Sequence, residues 1–130
     1  MANLIETLSI AATGMQAQAE RLRFVSENVA NEDTPGYRRK LTTFEEVVDA
    51  GRRTGKVQTG PVELDPSALA RIHDPGHPLA DRNGYYDGSN VNLVVEIADA
   101  REAQRSYEAN LRVFDQARQM TQNLLELLKR

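Results

Sequence analysis

The positions of proline and glycine divide this 130-residue chain into three parts. All five prolines lie between Pro35 and Pro78, and seven of the eight glycines lie between Gly36 and Gly88. Because both residue types interrupt helices, only the two ends of the chain are open to long helices. The sequence therefore predicts a helix, an irregular or β-rich middle and a second helix.

The first segment has an apolar residue at every third or fourth position. Such heptad spacing keeps one stripe of a helix against a partner helix. Other apolar residues flank the stripe, so we expect this helix to contact more than one neighbour. The stripe consists of Leu4, Leu8, Ala11, Met15, Gln18, Leu22, Val25 and Val29, and Gln18 is its polar exception.

The last segment repeats this spacing from Ala100 onwards, after Asn92, a plausible N-cap. Two striped helices joined by a long connector predict a mainly α fold. The terminal helices are expected to pack as an antiparallel, coiled-coil-like pair around a small β-hairpin or irregular middle. The second stripe consists of Ala103, Tyr107, Asn110, Phe114, Ala117, Thr121, Leu124 and Leu128, with Leu111 and Leu125 beside it.

We expect three segments: an N-terminal helix at 1–34, a middle region at 35–89 and a C-terminal helix at 90–130. The first and third are expected to form one helical core. Apolar residues on the two stripes are the candidate contacts between subunits. They are Leu4, Leu8, Met15, Leu22, Val25, Tyr107, Leu111, Phe114, Leu124 and Leu128.

The middle region has weak strand character at 41–48, 56–62 and 68–73, which favours short hairpins. Its basic and acidic residues balance, so Arg38-Arg39-Lys40 and Arg52-Arg53 are expected to face solvent or form salt bridges between subunits rather than bind phosphate. With a formal net charge of −3, the whole chain gives no indication of nucleic-acid binding.

Composition and motifs exclude several classes of function. The chain has no cysteine, which rules out disulfides and thiol nucleophiles. No nucleophile elbow, phosphate loop or metal-protease motif is present, so we expect neither an enzyme nor a cofactor. His73 and His77 have a spacing that suits zinc only on a helix, which Pro75 and Pro78 prevent, so no metal site is expected.

The N-terminal segment lacks the features of a cleavable signal peptide, since no basic side chain precedes its apolar stretch and Glu6 interrupts that stretch. No apolar run approaches the roughly 20 residues that a membrane-spanning helix needs. We therefore expect a chain that does not span a membrane and carries no cleaved signal peptide.

A motif at 26–38 predicts where the first helix ends. Asn28 and Asn31 are expected to weaken its last turn by competing for backbone hydrogen bonds. Thr34-Pro35-Gly36-Tyr37 then places Pro and Gly where a type II turn requires them. The string resembles the signature of the bacterial flagellar axial proteins, in which Ser-x-Asn, an aliphatic residue and Ala-Asn precede Thr-Pro-Gly-Tyr.

Two further stretches are similar to the FlgC family of proximal-rod proteins. Residues 74–85 resemble that family's Asp-Pro-x-His-Pro-x-Ala-Asp-x-x-Gly-Tyr run, and residues 90–110 resemble its C-terminal segment. The resemblance extends over the whole chain and is weakest at 49–66. The positions that match the motifs are Asn28, Ala30, Asn31, Thr34, Pro35, Gly36, Tyr37, Asp74, Pro75, His77, Pro78, Ala80, Asp81, Gly84 and Tyr85.

This resemblance implies a structural subunit of the proximal rod in the flagellar basal body, within the periplasmic space. It implies export through the flagellar type III channel, helical assembly through the terminal helices around that channel, and transmission of torque. The implied partners are other copies of the chain, other proximal and distal rod proteins, the adapter that joins the rod to the MS ring, the flagellar export apparatus and the rod-cap muramidase.

A soluble helical-hairpin adaptor or export chaperone is the alternative. Such a protein would use the same heptads to bury one face of each helix and would keep the other faces polar. The purified monomer distinguishes the two hypotheses: stable, fully helical ends that melt cooperatively favour the adaptor, and labile ends favour an assembling rod subunit.

Overall fold

A computed structural model describes residues 2–129 of the chain. Along the chain, a long helix is followed by six short strands and a second long helix, as the sequence predicts. Met1 and Arg130, the outermost residues of the predicted terminal segments, lie outside the described residues, and the division into three domains stays a prediction. The elements are α1 (Ala2–Ala30), β1 (Lys40–Leu41), β2 (Phe44–Asp49), β3 (Arg52–Thr59), β4 (Glu63–Leu64), β5 (Arg71–His73), β6 (Tyr85–Asp87) and α2 (Leu93–Leu128).

The two helices pack against each other along their length in antiparallel orientation. Asn28 near the end of α1 lies beside Glu96 near the start of α2. At the centre, a side chain built on Gly14 would meet the Asn110 amide at 2.7 Å, so the backbones approach closely there. The predicted pair of terminal helices is confirmed.

The apolar core of the helix pair is small. Most of the buried side chains are alanine, which lets the helices approach each other but removes little apolar surface from water. Within residues 2–129 the buried apolar side chains are Ala11, Ala17, Phe24, Val25, Ala103 and Ala117.

Helix α2 begins where the sequence predicts. The Asn92 side chain accepts a hydrogen bond from the Val94 backbone N–H at 3.0 Å and caps the first turn. Proline and glycine are absent from the helix that follows, which continues to Leu128.

The middle region contains three separate antiparallel strand pairs, β1–β4, β2–β3 and β5–β6. The β2–β3 hairpin turns at Ala50 and Gly51, which have φ values of 50° and 77°. Strand β3 lies on α1: the Val57 backbone N–H donates to Thr13 Oγ1 at 3.3 Å, and Thr59 Oγ1 donates to Glu20 Oε2 at 2.5 Å. The hairpin is therefore fixed to the helix pair.

Candidate assembly surface and the junction that supports it

The turn that follows α1 has the predicted geometry. The Tyr37 backbone N–H donates to the Thr34 carbonyl at 3.1 Å, and Gly36 has φ +76°, as the third position of a type II turn requires. The Gly36 N–H also donates to the carbonyls of Asp87 and Gly88, at 3.2 and 3.1 Å. The turn is thus attached to the chain at the end of β6.

Asn28 is the centre of a buried hydrogen-bond network and only 1% exposed. Its Oδ1 accepts from the Lys40 backbone N–H and from the Tyr37 hydroxyl, both at 2.8 Å. Its Nδ2 donates to the Lys40 carbonyl at 3.1 Å and to Glu96 Oε2 at 3.3 Å. One side chain therefore joins α1, the turn after it and α2. Burial raises the pKa of the Tyr37 hydroxyl in this network.

Arg39 lies next to this network and contacts three carboxylates. Its Nε donates to Glu96 Oε1 at 2.7 Å and its Nη2 donates to Asp99 Oδ2 at 3.1 Å, while Nη1 lies 3.5 Å from Asp65 Oδ2. Burial opposes the charge of the guanidinium, but the bond to Glu96 and the nearby carboxylates outweigh it and raise the pKa of Arg39. On the outer side, Arg21 Nη2 donates to Asp99 Oδ1 at 3.3 Å.

Asn90 contacts this group from the other side, and we call the connected side chains of Asn28, Tyr37, Arg39, Asn90 and Glu96 the junction. Its Oδ1 accepts from the Arg39 backbone N–H at 2.7 Å, and its Nδ2 donates to the Asp65 carbonyl at 3.0 Å. Arg38 Nη1 donates to the Asp65 and Ser67 carbonyls at 3.2 and 2.9 Å. The basic run thus forms ion pairs and carbonyl contacts within the molecule, rather than the solvent-facing or intersubunit surface that the charge balance predicts, because Arg39 is turned towards Glu96 and Asp99.

The predicted role of Asn28 is wrong. The Asn31 side chain does bond to a backbone carbonyl at the helix end, and its weakening of the last turn stays a prediction. Asn31 Nδ2 donates to the Glu27 carbonyl one turn earlier, at 2.8 Å. The Asn28 side chain bonds instead to groups that lie far from its own helical turn. The central roles of Arg39 and Glu96 are missed by the sequence reasoning. The available signal is Glu96 itself, a carboxylate among Val94, Val95 and Ile97.

Residues 74–85 form a compact loop closed by backbone bonds. The Asp74 N–H donates to the Gly84 carbonyl, and the Asp81 N–H donates to the Tyr85 carbonyl, both at 2.8 Å. Gly84 has φ +84°, and a Cβ there would come 2.9 Å from Pro75 Cγ. Glycine is required at this position for both its conformation and its lack of a side chain.

Asp81 fixes this loop electrostatically. Its Oδ1 accepts from the backbone N–H groups of Asn83 and Tyr85, at 2.9 and 3.0 Å, and its Oδ2 pairs with Arg71 at 2.9 Å. The bond from the Tyr85 N–H, together with the Arg71 contact, lowers the pKa of the Asp81 carboxyl. Arg71 also pairs with Asp87 at 2.9 Å and so holds the loop to β6.

The two histidines of this region pack against aromatic rings. The His77 ring stacks on Tyr86 with centroids 3.9 Å apart, and its Nδ1 accepts from the Leu79 backbone N–H at 3.1 Å. The His73 ring packs edge-on against Tyr85 at 4.7 Å. Between residues 2 and 129 no group of three or more acidic or histidine side chains is arranged to hold a metal ion.

The structure divides the candidate packing residues between the inside of the helix pair and its surface. Val25 is buried, at 8% exposure, and six others are half-buried. Leu111, Leu124 and Leu128 are exposed, at 40%, 39% and 75%. The half-buried six are Leu4, Leu8, Met15, Leu22, Tyr107 and Phe114.

Helix α2 carries about half of the exposed large apolar side chains in residues 2–129. One group lies in its first turns, where Val94 is 75% and Ile97 52% exposed. A larger group lies near its end. We call this group the C-terminal patch; its members are Met120, Leu124, Leu125, Leu127 and Leu128, between 39% and 75% exposed. Apolar side chains clustered in this way mark a surface that binds another protein.

These features together define a class of protein. The helix pair buries one face of each helix within the chain and leaves apolar side chains exposed on other faces. Hydrogen bonds hold the connector between the helices in place. Such a molecule is a subunit that packs with further helices. None of the described helices has the length and apolarity needed to cross a membrane.

Comparisons with known proteins identify the family. Residues 8–38 match the family described as "Flagella basal body rod protein", and residues 82–127 match "Flagellar basal body rod FlgEFG protein C-terminal". The flagellar basal-body rod protein FlgC of Agrobacterium fabrum is 43% identical over 127 residues, 92% of this chain and 91% of that protein. The FlgC proteins of Salmonella typhimurium and Borreliella burgdorferi are 33% and 32% identical, over 95% and 97% of this chain and 97% and 98% of their own lengths. The chain belongs to the FlgC family of flagellar basal-body rod proteins.

Proposed function

We propose that this chain is a structural subunit of the proximal part of the flagellar rod and assembles helically through its terminal helices. The observation that carries the proposal is the apolar surface of α2, which stays exposed after the two helices have packed together. Leu127 is 64% and Leu128 75% exposed, and exposing such side chains to water is unfavourable. Neighbouring subunits would remove this surface from water.

The two kinds of apolar residue take different roles in this proposal. Buried and half-buried residues of the pair, such as Val25 and Phe114, hold α1 against α2. Leu111, Leu124 and Leu128 contact neighbouring subunits. A helical assembly requires one face of a subunit to bind a different face of the next, and two helices with several apolar faces supply such heterologous contacts. The segments 1–34 and 90–130 then act as one helical core, and many distributed contacts transmit torque.

The junction and the 74–85 loop set how the middle region projects from this core. Asn28, Tyr37 and Arg39 fix the direction in which the chain leaves α1, and Asp81 and Arg71 keep the loop compact. Subunits in a rod must present the same shape at every position, and a rigid connector serves that need. We assign these groups no catalytic role.

We infer that the chain lies in the periplasmic space, and the support is that its relatives are named as basal-body rod proteins. We infer that it arrives through the flagellar export apparatus without a cleaved signal peptide. Its proposed partners are further copies of itself, the other proximal and distal rod proteins, the adapter between rod and MS ring, and the rod-cap muramidase during assembly. Nucleic acid is not among the proposed partners.

The alternative of a free adaptor or export chaperone is not favoured. Such a protein requires polar outer faces on its helices, whereas α2 carries exposed apolar residues at both ends. The curated relatives, which cover almost the whole chain, are also named as rod proteins.

The test is complementation of a strain that lacks this gene. Leu127→Glu places a charge in the C-terminal patch without touching the helix pair, since Leu127 is 64% exposed. We expect the purified variant to keep its helicity, and the cells to lose rods in isolated basal bodies and to stop swimming. Gln122→Glu, an equal charge change at an exposed polar position of the same helix, is the matched control and should support swimming. Normal rods in the Leu127→Glu strain would contradict the proposal.

A further inference from the structure

Glu96 is an unusual residue for the interface between two helices. It is fully buried, at 0% exposure, on a segment of α2 whose neighbours in sequence are Val94, Val95 and Ile97. A carboxylate without a partner in such a place opposes folding strongly, because it loses its hydration and gains nothing in return. The packing of α2 against α1 at this end therefore depends on what neutralises Glu96.

Arg39 supplies that charge, and it does not belong to either helix. Within residues 2–129 it is the only cation in salt-bridge contact with Glu96, at 2.7 Å. Arg39 is itself only 13% exposed on its side chain, so the pair is desolvated on both sides. It lies beyond the turn that follows α1, at a point held by the bond between its backbone N–H and Asn90 Oδ1.

We infer that the Arg39–Glu96 pair makes pairing of the terminal helices conditional on folding of the turn after α1. Without the turn, Arg39 does not reach the interface between the helices. The uncompensated charge of Glu96 then prevents the start of α2 from packing on α1. Once the turn forms, Arg39 satisfies Glu96 and also contacts Asp99 and Asp65. The helix pair and the segment 36–41 therefore fold as one cooperative unit. This inference concerns the isolated chain and does not depend on the rod assignment.

The physical chemistry distinguishes this device from a simple stabilising bond. Removing one member of a buried ion pair leaves an uncompensated charge, whereas replacing both members by apolar residues of similar size is often neutral or stabilising. If helix pairing depends on neutralising Glu96, substituting Arg39 alone should disrupt the pairing. Substituting Glu96 as well should then restore it. If Arg39 contributed only through its packing, the second substitution would not restore helix pairing.

The experiment is hydrogen exchange, followed by mass spectrometry, on the purified full-length chain. In Arg39→Met we expect the amides of both helices at 15–28 and 96–110 to lose protection together. The expected loss is on the order of a hundred- to a thousand-fold, the usual effect of breaking a buried ion pair on one side. In Arg39→Met/Glu96→Met the helices should regain most of that protection, while amides at 36–41 stay less protected than in the wild type.

Two results would overturn the inference. Helices that remain fully protected in Arg39→Met would mean that Glu96 imposes no condition on pairing. A double variant as unprotected as Arg39→Met would mean that Arg39 acts through its packing rather than by neutralising Glu96. Arg71→Met is the matched control, because it removes an arginine with two carboxylate partners at an exposed site, where its side chain is 54% exposed. It should change helix protection less than about tenfold.

Discussion

Replacing Asn28 by alanine tests the junction most sharply, because the side chain is buried and every polar atom in it is used. The substitution leaves the Lys40 backbone N–H and the Tyr37 hydroxyl without their acceptor, which each reaches at 2.8 Å in the wild type. Tyr37 and Lys40 are half-buried, so each stranded donor should cost near the lower end of about 1–3 kcal/mol, and the two together predict a loss of about 2–3 kcal/mol in the free energy of unfolding.

The neighbouring Asn31 provides a matched control for this measurement. It belongs to the same motif, but it is half-buried and its Nδ2 bonds to the Glu27 carbonyl within the same helix end. Asn31→Ala should therefore lower the free energy of unfolding by about 1 kcal/mol or less. Tyr37→Phe, which removes one hydroxyl and leaves Asn28 bonded to Lys40, should lower it by about 1 kcal/mol.

The assay is urea denaturation followed by circular dichroism, with the slope of the free energy against urea compared between variants. An unchanged slope means that the difference in midpoint reports stability alone. Equal losses in Asn28→Ala and Asn31→Ala would refute the reasoning, since they would mean that Asn28 acts only as a local helix stop. A loss below about 1 kcal/mol in Asn28→Ala would refute it as well.

Two smaller predictions concern the middle region. Ala50→Asn should stabilise the chain by about 0.5–1 kcal/mol, because Asn adopts the positive φ of 50° more readily than Ala and Asn-Gly favours a two-residue hairpin turn. The variant should have a higher melting temperature, and a lower one would contradict the prediction. The Ser67 N–H lowers the pKa of the Asp65 carboxyl in the folded chain, and the Tyr85 N–H does the same for Asp81. Each carboxylate therefore stabilises the fold above its unfolded pKa, and that stabilisation is lost as the pH falls through its folded pKa. Urea midpoints should therefore drop below about pH 4, and Asp81→Asn should weaken that drop; a midpoint that stays constant down to about pH 3 would show the reasoning to be wrong.

The long elements were predictable because their signals are local. Heptad spacing and the absence of proline predict the helices, and Asn92 predicts the start of α2 from its own side chain. The type II turn follows from Pro35 and Gly36 for the same reason. The β2–β3 hairpin was located only approximately, since its strands at 44–49 and 52–59 do not coincide with the predicted 41–48 and 56–62.

The junction was not predictable because its contacts join distant parts of the chain. Asn28 and Glu96 are separated by 68 residues, and Arg39 and Glu96 by 57. Nothing in the spacing of Arg38, Arg39 and Lys40 indicates which of the three enters the interior. That choice is made by the turn before them and by Asn90, which holds the Arg39 backbone.

The division of the apolar stripes was also beyond the sequence. The heptad pattern places Val25 on the apolar stripe of α1 and Leu128 on that of α2. It does not show which of the two side chains is buried within the chain. Packing of α1 on α2 buries Val25 and leaves Leu128 at 75% exposure. We propose that the buried residues of the stripes hold the subunit together and that exposed residues such as Leu128 are available to neighbours.

Electron cryomicroscopy of basal bodies from the host bacterium would test the central claim most directly, namely that the helix pair assembles into the rod through the exposed apolar surface of α2. We predict helically arranged copies of the α1–α2 pair in the proximal rod, with the C-terminal patch covered by the helices of adjacent subunits. A rod that contains this chain with Leu124, Leu127 and Leu128 facing solvent, or a rod that lacks the chain, would contradict the claim.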